Sequence, residues 1–200
     1  MQSSKQLFVW YHSYLGVILD KPQIPADDVD KLLHLSDVVL SELFERGVPI
    51  HPEEWEGVVV WVERYHPRVP VQRHDILPAF RSSLSSRVHF HSPRVRALLK
   101  RFAGLIQYLP TPLLDGCTGQ RIGVYYAANF LIQYGPEAQL EGGWWQHEYR
   151  LNQRIEKYPI SLVTSGWHVV VDQEVRNLLL KARVIDEGDF TPLRLSEGIE

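Results

Sequence analysis

The chain has 200 residues, 44% of them hydrophobic and 22% charged, and a formal net charge of -3. That balance suits one ordinary globular domain or two small ones and excludes an overall basic field for nucleic acid, while the lone Cys117 excludes an internal disulfide framework and a Cys-based zinc site. No run approaches the length of a membrane span, and Tyr11, His12 and Ser13 interrupt the opening apolar stretch before it reaches signal-peptide length, so a cytoplasmic protein with no membrane partner is expected.

The first predicted element is a strand at "LFVWY", which begins at Leu7 and is apolar, aromatic and β-branched. A turn-rich link, "DKPQIPADD", leads into a predicted amphipathic helix from Asp27 to Arg46. Val29, Leu32, Leu33, Val39, Leu40, Leu43 and Phe44 recur there at helical spacing, Asp27 and Asp28 suit its N-terminus, and Gly47 and Pro49 stop it. "GVVVWVE" from Gly57 predicts a buried strand, and residues 66–86, with Pro67, Pro70 and Pro78, predict a loop-rich crossover.

From here the chain spells one unit twice. "SPRVRALLKRF" from Ser92 aligns without a gap on "DQEVRNLLLKA" from Asp172, and "TPLL" at Thr111 answers "TPLR" at Thr191. In the first copy "RVHF" predicts a strand, Ser92 an N-cap and Pro93 the first helical residue. Val95, Leu98, Leu99 and Phe102 then fall on one helix face, and "LIQYLP" predicts the closing strand. In the second copy "WHVVV" leads, Asp172 caps, Val175, Leu178, Leu179 and Ala182 form the apolar face, and "DFTPLRL" closes. Between them "VYYAANFLIQY" and "LVTSG" predict further strands. The repeated letters are caps and core positions, so the repeat informs fold rather than chemistry. The expected fold class is α+β: a mixed sheet, a long N-terminal amphipathic helix and two similar strand–helix–strand units. The expected division is a lobe over residues 1–86 and a lobe over 87–200, packed as one compact domain.

Three clusters could carry function. His89 and His91 in "HFH" lie two apart, which puts both imidazoles on one face of a strand. They could begin a metal site, with His147, His168 or Asp75 as a third ligand that nothing in the sequence places. "HPEEWE" sets Glu53, Glu54 and Glu56 around an aromatic, the residue types of an acidic patch for a basic partner. "EGGWWQHEYR" brings Trp144, Trp145, His147 and Tyr149 together after two glycines; adjacent tryptophans on a strand point to opposite faces, which leaves one exposed as an interface anchor. There is no phosphate-binding loop, dinucleotide fingerprint or nucleophile elbow.

The run Val-His-Phe-His-Ser-Pro-Arg-Val-Arg-Ala-Leu-Leu from Val88, then "YLPTPL", "YYAANFL", "HVVVDQEVRNLLL" and "FTPLRL", resembles the immunity proteins of bacterial polymorphic toxin systems. It is closest to the group classed as immunity family eleven, with family forty-three as a near relative. The matching positions include the Ser92-capped helix, Tyr125, Tyr126 and Asn129 of the central strand, and Phe190 and Pro192 near the end; the resemblance spans about Val88–Leu195. "QYGPEAQLEGG" departs from the Asp-bearing turn and serine that often follow the family's central strand. The resemblance implies a cytoplasmic antidote, not an enzyme and with no cofactor, that binds a cognate toxin domain, often a nuclease, and occludes it. The expected toxin contacts are Glu53, Glu54, Glu56, Trp144, Trp145, His147 and Tyr149. The alternatives from other classes are a metal-dependent enzyme using His89 and His91, and a protein-binding module that is not an antidote.

Overall fold

The computed structural model describes residues 6–10, 17–18, 43–63, 75–78, 88–115, 118–135, 138–143, 148–151, 158–164 and 168–195. The chain forms two compact units. One comprises Met1–Ser13, Arg101–Leu105 and Phe130–Glu200; the other comprises Tyr14–Lys100 and Ile106–Asn129.

The strands of the first unit are β1 (Leu7–Trp10), β8 (Gln133–Tyr134), β9 (Leu140–Gly143), β10 (Glu148–Leu151), β11 (Ile160–Val163), β12 (His168–Asp172) and β13 (Phe190–Leu195), numbered along the whole chain. They form one mixed sheet in the order β8-β11-β12-β1-β13-β10-β9. β1 runs antiparallel to both β12 and β13, with Leu7 opposite Asp172 on one side and Leu193 on the other. All four of its residues are buried, which explains an apolar run with no polar alternation. Leu7 and Val9 enter a core cluster with Tyr149, Leu151, Val163 and Val170. Phe8 and Trp10 point the other way and contact the Phe190 ring, with centroids 6.4 and 6.2 Å apart.

The longer helix, α2 (Gln173–Lys181), packs against β12 and β1. The Asp172 carboxylate accepts from the Val175 N–H at 2.9 Å, and Val175 and Leu179 are buried. Arg176 lays its guanidinium over Phe8 at 4.8 Å and Phe190 at 5.6 Å, and one nitrogen reaches Glu187 at 3.1 Å.

The second unit carries β2 (Val17–Ile18), β3 (Val60–Glu63), β4 (Ile76–Pro78), β5 (His89–His91), β6 (Ile106–Asp115) and β7 (Arg121–Phe130) in the order β2-β3-β6-β7-β5-β4. Its helix α1 (Pro93–Leu98) is short; the Ser92 hydroxyl accepts from the Val95 N–H at 3.2 Å and donates to Asp75 at 2.6 Å. At the β6–β7 hairpin Asp115 takes the N–H of Thr118 on its side chain and that of Gly119 on its carbonyl, and Gly119 has the positive φ of +69° that favours glycine.

The expected α+β fold is corrected. Among the described residues the protein is mostly β, built on two sheets rather than one, with short helices, and no long N-terminal amphipathic helix is shown. Of the segment predicted as that helix, residues 43–45 are helical, with Leu43 and Phe44 buried; residues 27–42 lie outside the described residues. Two physical features bring the helical share down. Each repeat helix is confined between its cap and the next strand, to six residues in α1 and nine in α2. β6 and β7 also run for ten residues each, and β6 does so through Pro110 and Pro112. Those prolines are tolerated because β3 pairs only with Leu113–Asp115, beyond them. Among the described residues no helix is long and apolar enough to cross a membrane.

Two substitutions test how this sheet is held. Leu179→Ala empties a fully buried position under α2, and it is expected to cost about 2–5 kcal/mol. Asp172→Ala removes the cap and is expected to cost about 0.5–2 kcal/mol. Urea unfolding measures both, and the larger loss belongs to Leu179→Ala.

Candidate functional site

The second unit presents one loop, residues 47–56, in a defined shape. Gly47 turns the chain with φ of +61°. Val48 follows, 48% exposed, and it is the one large hydrophobic residue so exposed among the described residues. Ile50 returns to the core. A 3-10 turn, Pro52–Trp55, then carries the acidic residues and ends on the buried Trp55.

Two side chains from the sheet hold the loop backbone. Gln107 of β6 grips Ile50 twice: its Oε1 accepts from the Ile50 N–H at 2.7 Å and its Nε2 donates to the Ile50 carbonyl at 2.7 Å. Asn129 of β7 donates from Nδ2 to the Val48 carbonyl at 2.9 Å and to Gln107 Oε1 at 3.1 Å. The pair serves the loop as a neighbouring strand would, satisfying backbone groups that would otherwise be stranded. The far end is fixed by Trp55, which meets Phe44 edge-to-face at 5.5 Å and donates from Nε1 to Thr111 Oγ1 at 3.3 Å.

The three glutamates of the turn do different work. Glu54 is structural in part: it accepts from the His51 N–H at 3.0 Å and from Arg46 at 2.7 Å. The Arg46 hydrogen bond and the His51 N–H hold its carboxyl below the ordinary range. Glu53 and Glu56 are exposed on either side of it. The local charge is therefore negative, but the two outer carboxylates face solvent on a turn whose backbone is pinned.

Tyr149 stands elsewhere. It is 5% exposed in β10 of the first unit, in the core cluster, with its ring 5.3 Å from that of His168. Trp144, Trp145 and His147 lie outside the described residues, as does Cys117.

His89 and His91 do share one face of β5, with ring centroids 6.2 Å apart, and both are buried. His91 Nδ1 lies 3.1 Å from the Tyr108 hydroxyl, and Tyr108 in turn meets Tyr126 edge-on, beneath the Arg96 guanidinium 4.4 Å from the Tyr126 ring. Asp75, named as a third ligand, spends both oxygens on Ser92 and Arg94 at 2.6 and 2.9 Å. Among the described residues no group of three or more His, Cys, Asp or Glu could hold a metal. The pair sits in a polar and aromatic core between the strands, with the Tyr108 hydroxyl held well above its usual pKa by burial.

The sequence reasoning missed Val48, Gln107 and Asn129 as a group. Asn129 was legible only as a letter of the central strand, and Gln107 and Val48 lie 59 positions apart, with no local pattern to join them. The chain matches no protein-family model, and no curated protein matches it.

The buried histidine has a pH consequence. Burial first, and the neighbouring His89 charge second, push the His91 pKa well below the usual imidazole value. The unfolded chain takes up the proton below about pH 6.5 while the fold resists it, so stability is full above that pH and falls on acidification toward the folded pKa. Between pH 7.5 and 5.5 His91 therefore contributes to the loss of stability on acidification. Urea unfolding of His91→Gln at the two pH values should show a smaller drop than the wild type's; equal drops reject the assignment.

Proposed function

We propose that this chain is a cytoplasmic immunity protein of the polymorphic toxin type, which binds a cognate toxin domain, of nuclease type, and neutralises it by occlusion without catalysis. The observation that carries the proposal is the 47–56 loop, a pinned stretch of chain on which Glu53, Glu56 and Val48 are all exposed. Carboxylates and an apolar contact on one loop suit a basic protein surface: the charges steer encounter and the apolar contact slows departure. The resemblance between Val88 and Leu195 supports the same reading, because its Asn129 is the residue that holds Val48 from below. Nuclease domains carry basic surfaces for their substrate, and an antidote that covers such a surface needs no active site of its own.

The experiment is co-expression with the toxin domain encoded by the adjacent reading frame. The chain is expected to restore growth and to co-purify with that domain. Failure of both sinks the reading, and co-purification without rescue favours a binding module that is not an antidote. The loop's part in it is read from Glu53→Lys combined with Glu56→Lys. This variant is expected to slow association about tenfold or more at low salt, with the difference from wild type shrinking as salt screens the charges. Stopped-flow association at two salt concentrations measures it, and an unchanged rate removes the acidic turn from the interface.

A further inference from the structure

Asn129 pays for its place. Its side chain is fully buried, and its Oδ1 takes no hydrogen bond among the described residues. An unsatisfied buried carbonyl is destabilising, and an apolar residue there would spare it. What the amide provides instead is the donor to the Val48 carbonyl and to Gln107. The two bonds from Gln107 then fix Ile50, two residues on. Together they set the direction in which Val48 projects, since its own carbonyl and the residue that returns to the core are both held. A costly buried group that orders a surface loop is the pattern of a site shaped for binding rather than for stability.

We propose that Gln107 and Asn129 are positioning residues that hold the 47–56 loop in its partner-binding shape. In that shape Val48 enters an apolar hollow on the toxin domain while Glu53 and Glu56 meet lysine or arginine at its rim. This rests on the antidote reading above. The partner is a basic protein surface, because the exposed carboxylates at 53 and 56 share the pinned loop with the knob and the Glu54 carboxylate is already occupied by Arg46. Preorganisation is the gain: a loop already in its bound shape loses little freedom on association.

Three variants test it. Asn129→Leu keeps the shape and removes the donor to Val48. Gln107→Glu keeps an acceptor for the Ile50 N–H and removes the donor to its carbonyl. Val48→Asp leaves the clamp intact and spoils the knob. Hydrogen exchange of the Ile50 amide is expected to speed at least tenfold in Asn129→Leu, less in Gln107→Glu and not at all in Val48→Asp, with the Val175 amide unchanged throughout. Against the toxin domain of the adjacent reading frame, Asn129→Leu is expected to slow association at least tenfold and leave dissociation within threefold. Val48→Asp is expected to speed dissociation at least tenfold. A merely structural role for Asn129 moves stability and leaves that split of rates unseen. Ile50 protection that survives Asn129→Leu, or wild-type binding by Asn129→Leu and Val48→Asp, overturns this proposal and leaves the antidote reading standing. No binding by the unaltered chain overturns both.

Discussion

The first unit depends on the insertion of β1 between β12 and β13. Four residues from the start of the chain complete a sheet otherwise made from residues beyond Phe130. Without Leu7–Trp10, both arms of the second strand–helix–strand unit would expose an edge, and the core cluster would lose Leu7 and Val9. The face under α2 would lose Phe8 and Trp10, and with Phe8 one of the two rings that Arg176 covers. Unpaired backbone and apolar surface are the two costs a sheet cannot carry together, and β1 removes both.

The second unit solves a different problem. Its sheet keeps polar groups inside, at His89, His91, Thr111 and Asn129. Several of them are spent on geometry. Thr111 accepts from the Trp55 indole, Asn129 donates to the Val48 carbonyl, and His91 meets Tyr108. Each such contact is directional where an apolar one is not, and directional contacts are what hold an irregular loop to one conformation. The rigid acidic turn is thus a product of the strands beneath it.

Local signals were legible where one residue settles one bond. Ser92 and Asp172 read as caps because a short oxygen at the helix entry has one natural donor, three residues on. "LFVW" read as a strand because nothing in it tolerates water. What was not legible was partnership at a distance. The strand expected at "LIQYLP" runs on through Pro112 to Asp115, and the short reach of β3 is what makes both prolines harmless. The two copies of the repeat, alike in letters, were read into one sheet, yet they serve two, because strand order is set by which edges remain unpaired and not by local spelling. The acidic turn was found by composition, while the amides that shape it come from β6 and β7 and carry no sequence mark of that task. Tyr149, expected among the toxin contacts, is buried, because its strand alternation turns the ring into the core.

The position of β1 also imposes an order in time. Its partners begin at His168 and Phe190, so some 160 residues separate Leu7 from the first of them. At about 5–20 residues per second on the ribosome, the gap corresponds to about 8–30 s in which an apolar strand waits for its neighbours. The long second unit is made in that interval and can close on itself before the first has its central strand paired. Pairings this remote close slowly, so the apolar "LFVW" run stays open to a chaperone until β1 docks.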